Sequence, residues 1–234
     1  MNNCLKISRS DIEQFINCEK CFYLDKIYEI KRPPTYPYLL NSAVDILLKN
    51  EFDYYRKNNK KHPYFLKNKL DFSLYNDQKI KDWRKFNVGI NYLHKKTGFI
   101  LRGSIDDIWI DNKTNELILV EYKSTSKLSE VNLDSSWQIA YKRQVEFYQY
   151  IMHKNNFNVS KRAFFVYCNG LKNKKYFNEK LDFEVKIIEY EGHFDWIEKT
   201  LIKMSKTLNN KKIPDYSNNC SFCNYLKKIK SVDG

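Results

Sequence analysis

The chain has 234 residues, of which 42% are hydrophobic and 29% are charged, and this composition indicates a folded globular protein rather than a disordered one. No apolar run approaches the ~20 residues that span a bilayer, and the stretch MNNCLKISRSDIEQF lacks the apolar core of a signal peptide, so we expect a cytoplasmic protein. The formal net charge of +13 suits a polyanionic partner, most commonly nucleic acid, although an A/T-rich coding sequence would also enrich the chain in lysine.

Two helices are predicted near the start of the chain. The first, within SRSDIEQFINCEKCFYLDKI, has Ser10 as its N-cap and Glu13 as the capping-box partner. Prolines in KRPPTYP, residues 31–37, interrupt the helical pattern. Asn41 then caps a second helix, SAVDILLKNEFDYYRK, whose apolar residues follow the helical period. Residues 64–85 give no clear pattern.

The rest of the chain mixes strands and helices. FNVGINYLH, GFILRGSIDDIWI and ELILVEYK are typical of three strands, and KKTG and DNKTNE supply the turns between them. A helix over about 134–154 follows, then the strands RAFFVYC and FEVKIIEYE, then the amphipathic helix HFDWIEKTLIKMSKTL. This order predicts one α/β domain with a mixed central sheet flanked by helices.

The order also divides the predicted domain into three parts. A helical N-terminal part covers about 8–60, the core covers about 86–190, and a C-terminal helix with a cysteine-containing tail covers about 193–234.

A cluster of charged residues is predicted at one end of the hairpin around IWIDNKTNELIL. If Asp111 faces Glu116 across the turn, the register places Asp106 directly opposite Glu121. Side chains alternate along a strand, so Lys123 shares the face of Glu121. A shift by one residue would bring Asp107 there in place of Asp106. Two carboxylates and an ammonium group therefore lie at the end of a strand that is apolar on both sides.

Two carboxylates at that separation repel each other, and a divalent cation removes the conflict. Mg²⁺ prefers oxygen ligands, and it can lower the pKa of a bound water and neutralise charge on a phosphate. A lysine beside it can hold the attacking water or the phosphate. The cluster thus predicts hydrolysis of phosphodiester bonds with Mg²⁺, or with Mn²⁺ in its place. The alternative is a surface hairpin whose charges only face water.

These motifs resemble those of PD-(D/E)XK nucleases. GSID followed by VEYK is similar to the two-part signature of that superfamily, with Gly103 and Asp106 in the first motif and Glu121 and Lys123 in the second. The resemblance covers roughly residues 8–225 and implies a restriction-endonuclease-like core. It also implies that Asp106 and Glu121 bind Mg²⁺ and that Lys123 positions the attacking water.

The helix after these motifs carries a second resemblance. QVEFY contains Gln144 and Tyr148 and is similar to the Q-x-x-x-Y helix of the RecB-like exonuclease branch, which implies that Gln144 supports catalysis and that Tyr148 contacts DNA. The two residues are i and i+4 and share one helix face. Lys142 and Arg143 are expected to meet phosphates. The alternative is a polar rim of a packed helix, with solvated charges.

The family usually adds a metal ligand, often a histidine, from an upstream helix. The segment LNSAVDILLKNEFDYYR has no histidine. Asp45 is the expected substitute, with Glu51 and Asp53 behind it, and all three are alternatively ordinary solvated helix residues.

Four of the six cysteines form two C-x-x-C pairs, Cys18 with Cys21 and Cys220 with Cys223. The first pair is three residues apart on the first predicted helix and is expected to share a face. Four thiolates suit tetrahedral Zn²⁺ or an iron–sulfur cluster. One such site would connect the two ends of the chain and close a very long loop.

AddB-type nuclease domains and the RecB-like exonucleases that accompany CRISPR systems, which the chain resembles, carry a [4Fe–4S] cluster. Its cysteines bracket the nuclease core, with one before it and three after it. Here two cysteines precede the core and two follow it. The resemblance makes a [4Fe–4S] cluster the first expectation and Zn²⁺ the alternative.

The sequence therefore predicts a metal-dependent DNA nuclease, and first a RecB-like exonuclease acting on single-stranded or free ends. No G-x-x-x-x-G-K-[ST] motif is present, so we expect the chain to be free-standing or to work with a helicase, or with a CRISPR, recombination or DNA-repair partner. Two alternatives remain open. One is a nucleic-acid-binding module without catalysis, and the other is a redox sensor whose function lies in the cysteine-bound cluster.

Overall fold

The computed structural model describes residues 4–34, 36 and 38–233, and it divides into two compact units. The first unit contains Met1–Tyr36, Leu93–Arg102 and Asp195–Gly234, and the second contains Pro37–Tyr92 and Gly103–Phe194. Thr35 and Pro37, which belong to the predicted proline break, lie outside the described residues. Within the described ranges, none of the helices combines the length and apolar character that crossing a bilayer requires.

Eight helices and eight strands are found in the described residues. The helices are α1 (Arg9–Asn17), α2 (Glu19–Tyr28), α3 (Leu39–Lys57), α4 (Pro63–Lys67), α5 (Lys79–Trp83), α6 (Ile139–Lys154), α7 (Asp195–Asn209) and α8 (Ser221–Asp233). The strands are β1 (Lys6–Ser8), β2 (Phe72–Leu74), β3 (Ile90–His94), β4 (Phe99–Gly103), β5 (Asp107–Asp111), β6 (Leu117–Thr125), β7 (Val159–Gly170) and β8 (Phe183–Glu191). A short 3₁₀ turn, Ser136–Gln138, precedes α6.

A five-stranded mixed sheet forms the centre of the second unit, in the order β2-β5-β6-β7-β8. β5 and β6 are antiparallel, with Asp107 opposite Val120 and Ile110 opposite Leu117, and this pairing confirms the predicted hairpin register. β6 and β7 are parallel, so the chain must cross over between them, and α6 lies in that connection. The mixed sheet and its flanking helices confirm the predicted α/β class.

β6 is a central strand with both faces covered. Ile118, Val120 and Tyr122 join a buried apolar cluster that includes Leu48 and Phe52 of α3. The alternate residues of β6 point to the opposite face, which α6 covers. The charged residues of β6 therefore project from a strand that apolar packing fixes in place.

The first unit contains β1, most of β4 and the helices α1, α2, α7 and α8. β1 pairs in parallel with β4 in a three-stranded sheet of order β1-β4-β3. Both α1 and α2 pack against α7, and the rings of Phe15 and Phe22 meet edge to face with centroids 5.2 Å apart. This unit is thus built largely from the two ends of the chain.

The first predicted helix is two helices in the structure. Ser8 caps α1 in a capping box with Asp11, so the prediction of Ser10 with Glu13 was wrong by two residues. The helix is interrupted at Cys18, which has extended dihedrals of φ −164° and ψ 106° and is the N-cap of α2. Because of this break, Cys18 and Cys21 do not lie on one continuous helix face as predicted.

The predicted strand GFILRGSIDDIWI is also divided. Its first part is β4, in the three-stranded sheet, and its last part is β5, in the five-stranded sheet. The backbone N–H of Ile105, between them, donates to the carbonyl of Trp83, the last residue of α5, so this stretch pairs with a helix end and not with a strand. Sequence pattern also gave no indication of β1, β2, α4, α5 or α8.

Candidate active site and cysteine cluster

The hairpin brings Asp106 to the side of β6. β5 begins at Asp107, and β6 continues past that point to Thr125, so the later backbone groups of β6 have no partner strand on that side. Asp106 Oδ2 accepts a hydrogen bond from the backbone N–H of Tyr122 at 3.0 Å. The side chain of Asp106 thus replaces the missing strand and is held one residue before the hairpin ladder, opposite Glu121.

Gln144 of α6 connects the two charged residues of β6, Glu121 and Lys123. Its Nε2 donates to Glu121 Oε1 at 2.6 Å, and its Oε1 accepts from Lys123 Nζ at 3.2 Å. Lys123 Nζ also donates to Glu121 Oε1 at 2.7 Å. Glu121 and Gln144 are both buried, so these hydrogen bonds are protected from water and hold the three side chains in one arrangement.

The upstream helix α3 contributes Asp45 and Lys49. Lys49 Nζ lies 2.8 Å from Asp45 Oδ2 and 2.9 Å from Asp106 Oδ1, so one ammonium group bridges two carboxylates. Burial raises the pKa of Asp45, and the nearby charge of Asp106 raises it further. Burial alone would lower the pKa of Lys49, but its ion pairs with Asp106 and Asp45 raise it, so the ammonium stays charged.

The other two acidic residues of α3 point elsewhere. Glu51 Oε1 lies 3.3 Å from the imidazole of His62. Asp53 binds Arg84 at 2.7 Å and also pairs with Arg56. Of the three candidate upstream ligands, the structure therefore brings Asp45 alone against Asp106.

A buried ion-pair network lies on the opposite face of the hairpin. Asp107 is fully buried, pairs with Arg56 and Arg84, and accepts from the hydroxyl of Tyr122 at 2.6 Å. Burial and the charge of Asp107 raise the pKa of Tyr122 well above its usual value. The two adjacent aspartates thus have different environments, and Asp107 is fixed in the core while Asp106 faces Lys49.

An open cavity of about 330 Å³ leads to Lys123. Asp45 and Leu48 of α3, Tyr122 and Lys123 of β6, and Tyr141 of α6 contribute to its walls. The Lys123 ammonium lies 4.3 Å from the centre of the Tyr141 ring, a cation–π contact. The exposed ring of Trp137 meets Tyr141 edge to face, with centroids 5.3 Å apart.

The remaining residues predicted to bind nucleic acid have mixed surroundings. Tyr148 is buried, and its hydroxyl accepts from Gln144 Nε2 at 3.3 Å. Lys142 is partly buried and lies 5.7 Å from the centre of the Tyr190 ring, and Arg143 is partly buried as well. The Tyr148 contact indicates that this residue positions Gln144, and a DNA contact of these three side chains stays a prediction.

The carboxylates at this site have the ligand chemistry that a divalent cation requires, although among the described residues it is the four paired cysteines, and not these carboxylates, whose ligand atoms are gathered within 4.8 Å of one another. Asp45, Asp106 and Glu121 supply hard oxygen donors of the kind that Mg²⁺ prefers. The pKa of Asp45 is raised by burial and by Asp106, and this repulsion is the conflict that a divalent ion relieves. Lys49 already places one positive charge between two of these groups.

The four paired cysteines meet in the first unit. The Sγ atoms of Cys18, Cys21, Cys220 and Cys223 all lie within 4.8 Å of one another. Although burial raises the pKa of Cys18, hydrogen bonds from the backbone of Ser217 and from its cysteine neighbours lower it to about 7. Burial and the neighbouring thiols raise the pKa of Cys223. Of the other two cysteines, Cys4 is exposed and Cys168 is buried in the core.

Comparison with known proteins identifies the family. A model of the PD-(D/E)XK nuclease superfamily matches residues 39–227, and the chain belongs to that superfamily. Its members are generally nucleases that use divalent metals. Among solved structures, one described as the crystal structure of SSO0001 has 15% sequence identity and a TM-score of 0.41, and the match covers 92% of this chain and 81% of that one. No curated protein matches the chain.

Two residues at these sites did not emerge from the sequence. Lys49 follows Asp45 by four residues, a spacing that indicates a shared helix face, but no motif marks it as part of the site. Arg32 donates to Cys220 Sγ at 3.3 Å. Arg32 lies in the predicted proline break, and local sequence pattern contains no information about its contact with Cys220, which is 188 residues later in the chain.

Proposed function

We propose that this chain is a divalent-metal-dependent deoxyribonuclease, of the RecB-like exonuclease type, that hydrolyses phosphodiester bonds. The observation that carries the proposal is the contact of Gln144 with both Glu121 and Lys123, which unites the Q-x-x-x-Y helix with the D/E-x-K strand. Membership of the PD-(D/E)XK superfamily supports the class of reaction.

The proposed roles follow from the chemistry of each group. Asp106 and Glu121, with Asp45 from α3, would hold Mg²⁺ or Mn²⁺. When bound, the ion would lower the pKa of a water and neutralise charge on the phosphate. Lys123, a compact cation with three donors, would orient the attacking water toward phosphorus. Gln144 would keep Lys123 and Glu121 in register through its two amide contacts.

Two features support DNA, and single-stranded ends in particular, as the substrate. The net charge of +13 would attract a phosphate backbone. Trp137 exposes its ring beside Tyr141, at the wall of the cavity that leads to Lys123. Unpaired bases stack on such rings at roughly 1–3 kcal/mol per base, whereas bases in a duplex are already stacked.

Cleavage of end-labelled single- and double-stranded DNA, with Mg²⁺, with Mn²⁺ and with EDTA, tests the proposal. We expect metal-dependent degradation of single strands that Lys123→Met reduces at least a hundredfold, because the attacking water loses its cation. Trp137→Ala should raise the KM for single strands about tenfold, the size of one lost stacking contact. The product ladder gives the polarity of the exonuclease.

Lys113→Met is the matched control for Lys123→Met. Lys113 is exposed in the β5–β6 turn, at the other end of β6, so its loss should leave cleavage unchanged. Metal-dependent binding of DNA without cleavage by the folded wild type would contradict the proposal and favour a binding module. DNA affinity that changes only with the redox state of the cysteine cluster would favour the sensor.

A further inference from the structure

We propose that Cys18, Cys21, Cys220 and Cys223 bind a single tetrahedral Zn²⁺ ion and not a [4Fe–4S] cluster. The site lies wholly within the first unit, and the proposal does not depend on the nuclease function.

The distances between sulfur atoms carry the inference. Cys18 Sγ lies 3.7 Å from Cys223 Sγ, and Cys21 Sγ lies 3.7 Å from Cys220 Sγ and 3.4 Å from Cys223 Sγ. A Zn–S bond of about 2.3 Å in a regular tetrahedron separates its sulfur ligands by about 3.8 Å. These three separations match those between ligands of one ion, and all four sulfur atoms lie within 4.8 Å of one another.

A [4Fe–4S] cluster does not fit this spacing. Each cysteine of such a cluster binds a different iron, at the outside of an iron–sulfide core, so its thiolates lie much farther apart than thiolates on one ion. Here all four sulfur atoms lie within 4.8 Å of one another. The four side chains are buried, so widening the site to admit the core would require their segments to move apart.

The local backbone also suits a zinc site. The ligands form two C-x-x-C pairs, and each pair straddles a helix start, at Cys18 before α2 and at Cys220 before α8. The backbone N–H of Cys223 lies 3.5 Å from Cys220 Sγ. Short loops with two cysteines separated by two residues are the usual source of ligand pairs in structural zinc sites.

Arg32 supplies the charge compensation that such a site needs. Four thiolates and one Zn²⁺ carry a net charge of −2, which is costly among buried groups. The guanidinium of Arg32 donates to Cys220 Sγ at 3.3 Å and brings a positive charge against the cluster. Such hydrogen bonds to ligand atoms orient the ligand and tune the affinity of the site.

Metal analysis of the full chain tests the assignment. The protein is produced with iron and zinc both supplied and is purified without oxygen, and zinc, iron and acid-labile sulfide are counted per chain. We expect about one zinc, and iron and sulfide below about a tenth, with no broad visible absorption. About four irons with four sulfides per chain would overturn the proposal. So would metal-free protein, whether its four thiols are free or oxidised to disulfides.

Cobalt substitution and two variants complete the experiment. Co²⁺ in place of zinc should give the intense visible bands of a tetrahedral tetrathiolate, and octahedral cobalt bands would count against the geometry. Cys223→Ser should lower zinc affinity at least tenfold, while Cys4→Ser, at an exposed cysteine, should bind zinc as the wild type does. If Cys223→Ser fails to fold, the wild-type metal count and the cobalt spectrum still decide the question.

Discussion

Lys49 places its ammonium group between two carboxylates of the proposed metal site. It lies 2.8 Å from Asp45 Oδ2 and 2.9 Å from Asp106 Oδ1, close enough to oppose the approach of a second cation. The same charge also offsets the repulsion between Asp45 and Asp106 when no metal is bound. Lys49 is therefore expected to weaken metal binding while it stabilises the folded chain.

Replacement of Lys49 by glutamine tests this role. Removing one charge a few ångströms from a divalent ion is worth about 1–2 kcal/mol even in water, so Lys49→Gln should tighten Mg²⁺ or Mn²⁺ binding roughly tenfold. Calorimetric titration of the metal measures the affinity directly, independent of cleavage. Lys113→Gln, in the exposed β5–β6 turn, is the control. An unchanged or weaker affinity in Lys49→Gln would show that the lysine does not compete with the metal.

Gly103 lies directly against the ring of Tyr148 in α6, which leaves no space for a larger residue. A Cβ atom at this position would lie 2.6 Å from Cδ1 and 2.7 Å from Cε1 of the Tyr148 ring. Tyr148 is buried and bonded to Gln144, so it has little room to move. The absence of a side chain at Gly103, in the GSID motif, therefore leaves room for the Tyr148 ring, and that ring supports Gln144.

We expect Gly103→Ala to lower the free energy of unfolding by about 1–3 kcal/mol, the usual cost of overpacking. Gly170→Ala is the matched control because its nearest contact, a methyl group of Leu181, would be 3.3 Å away on a flexible side chain. Urea denaturation compares the two variants. Equal stabilities would mean that the Tyr148 ring shifts freely.

At the scale of elements, α4 begins at a buried histidine. His62 Nδ1 accepts from the backbone N–H of Tyr64 at 3.2 Å, and its ring stacks on Phe52 with centroids 4.0 Å apart. Burial lowers the pKa of His62 from 6.5 to about 4. The titratable groups against the ring are Glu51, Tyr55 and Tyr64, and burial raises the pKa of Glu51.

This histidine should make the fold acid-sensitive. Its folded-state pKa lies below its unfolded value, so the unfolded chain binds the proton more strongly, and stability falls as the pH drops below about 6.5 toward 4. His62→Asn keeps a capping side chain and removes the titration. We expect melting temperatures measured from about pH 7 to about pH 5 to fall less steeply in this variant than in the wild type.

The control is His153→Asn, at an exposed position near the end of α6. Its melting temperature should follow the pH as steeply as that of the wild type. Glu51, whose pKa burial raises, contributes the opposite trend as it takes up a proton, and both variants retain this residue. Parallel curves for His62→Asn and the wild type would rule out His62 as the acid-sensitive group.

At the scale of the whole molecule, the ends of the chain meet in one unit. The proposed zinc site joins α2, from the N-terminal part, to α8, from the C-terminal part, across about two hundred residues of sequence. The second unit contains the five-stranded sheet and the residues proposed to act in the nuclease, and it has its own buried cluster. Loss of the metal should therefore affect the two units differently.

Hydrogen exchange measures that difference. After zinc is removed with a chelator, we expect peptides from α1, α2, α7 and α8 to exchange at least tenfold faster, because the loop that the ion closed becomes unrestricted. Peptides from β5, β6 and β7 should exchange as before. A uniform acceleration over both units would show instead that the metal stabilises the whole chain, and no change would show that it stabilises neither.

The sequence alone determined the features that follow local rules. Alternation along β6 puts Glu121 and Lys123 on one face, and the turn DNKTNE sets the register that brings Asp106 to Glu121. Helical spacing likewise puts Gln144 beside Tyr148. The mixed α/β class followed from the order of helices and strands.

The tertiary structure decided what depends on neighbours distant in sequence. The break at Cys18, the division of one apolar run between two sheets, and the approach of Lys49 to Asp106 all arise from packing between elements. The sulfur spacing at the paired cysteines also depends on packing, since the sequence supplies two C-x-x-C pairs but only folding sets the separation of their four sulfur atoms. Sequence pattern indicates which face of a helix or strand a side chain occupies. The free energy of packing between elements determines which distant residues that face contacts.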